Sequence, residues 1–240
     1  PGRNGYLWTL ERSGDSIGFI DAEPYVYQNA FASIHPETGR PSYDPEHKPV
    51  TGSETSFCPS LWGGKDWPPA AYNPETGLLY IPANDNHCGI VEGREVTYMP
   101  GSSFTGARTQ MTVPETAEHI GEIQAWDMNT GEEVWTREFE SHNWGGILTT
   151  SGNLVFSGGT SDRFFRAHDA STGEELWRFR TNSGIIGVPS SFSVDGRQYV
   201  AVQSGWGVDA AGMTARIDQQ RGTSTFVPQG GVIWVFALPE

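Results

Sequence analysis

A repeated segment constrains the fold of this 240-residue chain more than any other feature. Residues 125–135 read Ala-Trp-Asp-Met-Asn-Thr-Gly-Glu-Glu-Val-Trp, and residues 167–177 read Ala-His-Asp-Ala-Ser-Thr-Gly-Glu-Glu-Leu-Trp. The second copy begins 42 residues after the first (167 against 125), and a period of about 40–45 residues is the length of one four-stranded propeller blade. Weaker copies lie at 72–80 and 35–39. The repeat therefore predicts an all-β protein, a β-propeller built of four-stranded antiparallel blades.

Each copy is typical of two strands joined by a tight turn. In Asp-x-x-Thr-Gly, the Asp side chain can accept backbone N–H groups and the Gly can adopt a positive φ. A small Ala and a large Trp at fixed positions suit the docking of one blade on the next. A calcium loop is the alternative, because Asp127, Asn129 and Gly131 alternate as in such loops. The further acidic positions of an EF-hand are missing, so the plain turn is favoured.

Composition supports short strands over long helices. The chain has 30 Gly, 16 Pro and 9 Trp, and only 18% of its residues are charged. Such a balance favours strands and tight turns. Further strands are predicted at 153–159, 197–203 and 231–237. Residues 40–57 and 208–229 are polar, and we expect them to be excursions from the sheets that build a functional face.

Charge and missing motifs exclude several classes of protein. With 15 Lys and Arg against 29 Asp and Glu, the net charge is −14, which disfavours nucleic acid and anionic membranes as partners. No apolar run reaches about 18 residues, so no membrane span is predicted. The sequence has no His-Glu-x-x-His, no Gly-x-Ser-x-Gly and no phosphate loop. Of the six histidines, only His142 lies close in sequence to a residue singled out below.

Together, the repeat and several shorter motifs resemble the quinoprotein alcohol and methanol dehydrogenases. These are eight-bladed propellers with tryptophan-docking motifs that bind pyrroloquinoline quinone (PQQ). The matching segments, in the family's order, are 3–5, 58–60, 63–67, 143–146, 183–189, 204–207 and 229–231. The resemblance covers essentially residues 1–240, but only the C-terminal half of the family's propeller subunit. It implies that this chain is one domain of roughly four blades from an eight-bladed ring.

The resemblance implies cofactor-binding roles for several residues. Arg3 corresponds to a cationic PQQ contact, since a guanidinium can donate to quinone oxygens. Trp144 corresponds to the tryptophan on which the flat PQQ ring lies. Gly207 and Val208 correspond to a loop that approaches the cofactor edge by its backbone, although the residues after them depart from the family pattern.

Asp66 and Trp67 correspond to an Asn-Trp pair in the family. Trp67 is expected to shape the pocket. An Asn can donate to a cofactor carboxylate, whereas an ionised Asp would repel it. The role of Asp66 is therefore open: its side chain could be protonated, paired with Lys65 or turned away from PQQ.

Cys58 and Cys88 are the only cysteines. Two cysteines do not make a zinc site, which leaves two buried thiols or a disulfide. The family has a disulfide at the matching positions, so the resemblance implies a Cys58–Cys88 bond. A disulfide would require an oxidising compartment, and the periplasm is the expected location.

The resemblance implies that the reaction centre is incomplete in this chain. The family transfers a hydride from an alcohol to PQQ, while an Asp takes the hydroxyl proton and Ca²⁺ or a lanthanide polarises the quinone carbonyl. The metal ligands and that Asp have no counterpart here, so we expect no catalytic and no metal-binding residue in this chain. The expected partners are a complementary N-terminal propeller polypeptide, an alcohol and an electron acceptor such as a cytochrome c. The alternative function is a non-catalytic propeller module that binds a protein partner.

Overall fold

The computed structural model describes residues 1–102 and 105–237. The chain divides into two compact units. Unit 1 consists of Pro1–Asp66 and Asp85–Ala117, and unit 2 consists of Trp67–Asn84 and the chain from Glu118 onward. Within the described ranges, no helix is long and apolar enough to cross a membrane.

Unit 1 consists of short antiparallel sheets closed by a disulfide. Its strands are β1 (Tyr6–Ser13), β2 (Ser16–Pro24), β3 (Phe31–Ile34), β4 (Pro41–Tyr43), β5 (Glu54–Phe57), β8 (Cys88–Gly93) and β9 (Ala107–Thr112). They form the sheets β1-β2, β3-β4 and β5-β8-β9. A 3₁₀ turn at Pro45–His47 follows Asp44, whose carboxylate accepts the Glu46 N–H. Cys58, just after β5, is bonded to Cys88 at the start of β8, so the predicted disulfide is confirmed.

Unit 2 contains three antiparallel sheets. Its strands are β6 (Ala71–Asn73), β7 (Leu78–Asn84), β10 (Gly121–Asp127), β11 (Glu133–Phe139), β12 (Leu148–Thr150), β13 (Leu154–Ser157), β14 (Phe164–Asp169), β15 (Glu175–Arg180), β16 (Ser190–Val194), β17 (Arg197–Ser204) and β18 (Val232–Ala237). The sheet orders are β6-β7-β10-β11, β12-β13-β14-β15 and β16-β17-β18. Two sheets therefore have the four antiparallel strands predicted for a blade, whereas the third has three strands among the residues described.

Consecutive sheets of unit 2 pack face to face. Tyr80, Ile123 and Ala125 of the first sheet pack against Val155 and Ala170 of the second, and all five are buried. On the opposite face of the second sheet, a further cluster joins it to the third: Phe165, Ile185, Val200, Val202 and the partly buried Trp234 and Phe236. Each sheet thus buries apolar side chains against its neighbours, as stacked propeller blades do.

The four copies of the repeat form the same turn. The glycines are Gly39, Gly77, Gly131 and Gly173, with φ between 66° and 73°. Each glycine N–H donates to the carbonyl four residues earlier at 2.8–2.9 Å. The first side chain of each turn (His35, Asn73, Asp127 and Asp169) accepts the N–H two residues on. The Asp127 carboxylate therefore serves the turn, which agrees with the plain-turn interpretation.

Trp135 docks the first blade of unit 2 on the turn of the second. Its indole Nε1 donates to the Ala170 carbonyl at 3.0 Å, and the Tyr80 hydroxyl donates to the same oxygen at 3.0 Å. A Cβ on Gly173 would lie only 2.6 Å from the Trp135 ring. The repeated Gly thus has two roles here, because it permits the turn and leaves room for the docked indole.

Gly173→Ala is expected to destabilise the protein more than Gly131→Ala. Both glycines have a positive φ, where an L-residue costs about 1–2 kcal/mol. A Cβ on Gly131 meets nothing within 4 Å, whereas a Cβ on Gly173 overlaps Trp135. We expect the difference between the two variants to exceed about 1 kcal/mol in urea unfolding of the native protein. Equal losses would contradict the docking geometry.

The predicted excursion at 208–229 lies outside the strands, but both predicted excursions contain regular structure. Val208–Arg221 is a helix, α1, which begins after Gly207 and ends at Gly222 in the left-handed conformation. Its buried residues (Ala210, Met213, Thr214 and Ile217) follow helical spacing, a signal that the polar composition obscured. Likewise, 40–57 is not a continuous excursion, because it contains β4 and β5.

Candidate functional site

A glycine turn fixes Arg3 in unit 1. The Gly64 N–H donates to the Arg3 carbonyl at 3.1 Å. Gly63 has a φ of 73°, and a Cβ there would overlap the backbone and the Cγ of Arg3. Only glycine therefore lets this turn close on Arg3. The Arg3 side chain remains 56% exposed, so the residue is held by its backbone while its side chain is still accessible to a ligand.

Asp66 forms an ion pair with Arg3. The neighbouring Lys65 instead donates from Nζ to the Asp66 backbone carbonyl at 2.8 Å. Burial lowers the pKa of Lys65, and the Asp66 carboxylate opposes that shift. The carboxylate thus has a partner that the sequence analysis did not consider, 63 residues away along the chain (66 against 3).

An apolar groove of about 380 Å³ opens beside Arg3 within unit 1. Its lining includes Phe31, Tyr43 and Phe57 together with the disulfide residue Cys58. The Lys48 ammonium lies 5.4 Å from the centre of the Tyr43 ring. Arg3 therefore lines open apolar space, where a charged hydrogen bond to a ligand is less weakened by water.

Trp67 and Trp144 lie together in unit 2. Their ring centres are 6.5 Å apart and the rings are nearly perpendicular, at 87°. Trp67 is 49% exposed and Trp144 only 4%. Trp67 therefore offers an aromatic face to a ligand in this unit, whereas Trp144 is largely covered.

The turn that carries Trp144 is fixed by its neighbours. The Asn143 N–H donates to Asn84 Oδ1 at 2.7 Å, and Asn84 Nδ2 donates back to the Asn143 carbonyl at 2.9 Å. The Trp144 N–H donates to the Gly159 carbonyl at 2.8 Å. A Cβ on Gly145 would lie 2.8 Å from Gly159, which explains the glycine after Trp144.

The remaining sequence candidates also lie in unit 2. Gly207 is the N-cap of α1 and provides no side-chain cap. Val208 is 89% exposed at the first helical position, so the backbone here can be approached from solvent. His142 is fully buried in the loop between β11 and β12, with its ring 5.4 Å from that of Trp206.

Sequence reasoning missed a buried polar row on β10. The Glu122 carboxylate contacts His119 Nε2 at 2.7 Å and accepts from Gln124 Nε2 at 2.6 Å. Trp126 Nε1 donates to Gln124 Oε1 at 2.9 Å. The polar side chains at alternate positions of a buried strand were the available signal.

The next blade carries one buried charge, Arg166, at the equivalent positions. Arg166, 42 residues after Gln124, is buried and ion-pairs with Asp162 and Glu175. His168 takes the place of Trp126. Burial, reinforced by the Arg166 charge, lowers the pKa of His168 to about 4, so this ring is neutral near pH 7. The β10 row and Arg166 are paired within their own blades, whereas His168 Nδ1 is buried without a hydrogen-bond partner among the residues described.

Across residues 1–102 and 105–237, no group of three or more His, Cys, Asp or Glu side chains is arranged to hold a metal ion. The Cys58–Cys88 bond removes the two thiols as ligands.

These sheets, with their repeated turns and docked tryptophan, define a tryptophan-docking β-propeller. Comparison with known proteins agrees. The model of the PQQ glucose/ethanol/alcohol dehydrogenase β-propeller domain matches residues 136–200. Quinoprotein alcohol dehydrogenase PedH of Pseudomonas putida is 37% identical over 99% of this chain and 40% of the relative. The lanthanide-dependent methanol dehydrogenase of Methylacidiphilum fumariolicum is 36% identical over 98% of this chain and 41% of the relative.

A solved structure shows the same similarity to this class of dehydrogenases. A europium-containing methanol dehydrogenase aligns with a TM-score of 0.85 and 36% identity, over 98% of this chain and 44% of that chain. The predicted resemblance to the quinoprotein alcohol and methanol dehydrogenases is confirmed, and so is the all-β propeller class. The chain spans about 40% of the length of the curated relatives it matches.

Proposed function

We propose that this chain forms part of a PQQ-dependent alcohol dehydrogenase and contributes residues to its cofactor site. The observation that carries the proposal is the placement of Arg3, whose backbone is held by the Gly63–Gly64 turn while its side chain stays 56% exposed. The chain is also 36–37% identical, over 99% of its length, to relatives named quinoprotein alcohol dehydrogenase and quinoprotein ethanol dehydrogenase. A fixed, accessible cation is what recognition of an anionic cofactor requires.

The residues present fit PQQ chemically. An anionic quinone needs a cationic donor, and the partly exposed side chain of Arg3 offers one. When bound, PQQ supplies the acceptor for a hydride from the alcohol. Arg3 would donate to an oxygen of the cofactor and stabilise negative charge there. We propose that Trp67 and Trp144 contribute aromatic surface to the cofactor site. Gly207 and Val208 would contribute backbone groups to it.

The catalytic Asp and the ligands for Ca²⁺ or a lanthanide are proposed to come from a complementary N-terminal propeller polypeptide. An exposed apolar flank on the third sheet of unit 2 supports such docking: Ile233 is 72%, Val235 53% and Phe192 43% exposed. Apolar sheet faces of this kind normally pack against another blade. The disulfide supports a periplasmic location, and a cytochrome c is the proposed electron acceptor.

The test compares the PQQ affinity of the native, full-length protein with that of its Arg3→Gln variant. We expect Arg3→Gln to weaken PQQ affinity about 10- to 100-fold, because a charged hydrogen bond to an anionic ligand is lost. Quenching of tryptophan fluorescence during a PQQ titration measures the affinity. Arg12→Gln, at an exposed position on β1, is the matched control and should bind PQQ as the wild type does.

The same experiment separates the enzyme from its rival. A non-catalytic propeller module would neither bind PQQ nor reduce a dye with simple alcohols after incubation with PQQ and Ca²⁺ or a lanthanide. That result with the wild type would reject the dehydrogenase and favour the module. Binding that is unaffected by Arg3→Gln would remove Arg3 from the site.

A further inference from the structure

The Arg3–Asp66 ion pair is constrained from both sides. The Gly63–Gly64 turn fixes the backbone of Arg3, and Lys65 Nζ donates to the Asp66 carbonyl at 2.8 Å. The Asp66 side chain is 26% exposed, so it is more sheltered from water than the Arg3 side chain, which is 56% exposed. The guanidinium thus keeps an exposed part while the carboxylate holds its orientation.

The charges at this turn do not cancel. Arg3 and Lys65 are cations and Asp66 is the anion between them, which leaves one net positive charge. An Asn at position 66 would leave two, because it keeps an oxygen that accepts from Arg3 but carries no charge. The charge of the side chain at position 66 therefore affects how strongly this turn attracts an anion.

We propose that Asp66 is a positioning residue that holds the Arg3 guanidinium and at the same time weakens the attraction of this turn for anionic PQQ. This inference rests on the proposed function. Asp66 thus acts on the cofactor through Arg3 and through its own field, rather than by donating a hydrogen bond. The consequence is a cofactor that binds less tightly and whose reduced, more negative form is less stabilised than it would be beside an Asn.

The test compares Asp66→Asn with Asp66→Glu in the native, full-length protein. We expect Asp66→Asn to bind PQQ about tenfold more tightly at low salt, because a nearby like charge is removed. The gain should shrink at high salt, where the Debye length is about 3 Å at 1 M. The midpoint potential of the bound quinone should rise. Asp66→Glu keeps the charge and should retain wild-type affinity within about twofold.

Asp15→Asn is the control, since Asp15 lies at an exposed hairpin turn between β1 and β2. It should change neither the affinity nor the potential. Unchanged or weaker PQQ binding by Asp66→Asn would overturn the inference while leaving the proposed function intact. Absence of PQQ binding by the wild type would instead reject the proposed function. If Asp66→Asn does not fold, Asp66→Ser removes the same charge and is measured in the same way.

Discussion

Trp135→Ala is expected to lower the free energy of unfolding of the native protein by about 3–5 kcal/mol. The indole is 9% exposed and belongs to the cluster that joins the first two blades of unit 2. Its removal leaves a cavity over Gly173 and deprives the Ala170 carbonyl of one of two donors. Urea unfolding followed by circular dichroism measures the loss.

Two variants identify the origin of that loss. Trp135→Phe keeps much of the ring volume but removes the Nε1–H donor, so we expect a smaller loss, of about 1–3 kcal/mol. Val134→Ala changes the neighbouring residue of β11, which is 49% exposed, and should cost less than about 1 kcal/mol. A Trp135→Ala variant as stable as Val134→Ala would show that the docking contact does not stabilise the blades.

Loss of the Cys58–Cys88 bond is expected to cost about 3–4 kcal/mol, the value for a closed loop of 30 residues. The bond ties the segment after β5 to the start of β8 in unit 1. The Ser60 hydroxyl and the His87 ring, 2.8 Å apart, lie beside it. Both segments border or support the groove beside Arg3. Loss of the disulfide should therefore make this groove less ordered.

The measurement is urea unfolding with and without reductant. Oxidised wild type should be more stable than Cys58→Ala/Cys88→Ala, and full reduction should bring the wild type close to the double variant. The double variant itself should not respond to reductant, which makes it the control for effects of the reagent. A wild type of unchanged stability after complete reduction would contradict the prediction.

The repeated turns were predictable because their causes are local. In Asp127–Gly131 and Asp169–Gly173, the side-chain acceptor, the turn and the positive-φ glycine lie within five residues. The same is true of the hairpin strands on either side, whose pairing follows from the turn. The 42-residue period then indicated blades, since each copy supplies the same docking surfaces.

The helix α1 was missed because its local signals conflict. Val208–Arg221 contains Gly212 and several polar residues, which favour a loop in a sequence read alone. Its packing includes contacts with residues distant in sequence, such as the Glu140 carbonyl, which accepts from the Arg221 guanidinium at 3.1 Å. Tertiary packing therefore outweighed weak helix propensity.

The sequence by itself determined the blade, its turn and the identity of the cofactor-site candidates, because these depend on residues close together in the chain or on whole motifs. Only the tertiary structure decided that Asp66 pairs with Arg3 rather than with Lys65, and that Trp67 is exposed while Trp144 is covered. Such choices depend on which distant segments meet. The Gly63–Gly64 turn brings Arg3 to Asp66 across 63 residues, and no local pattern encodes that contact.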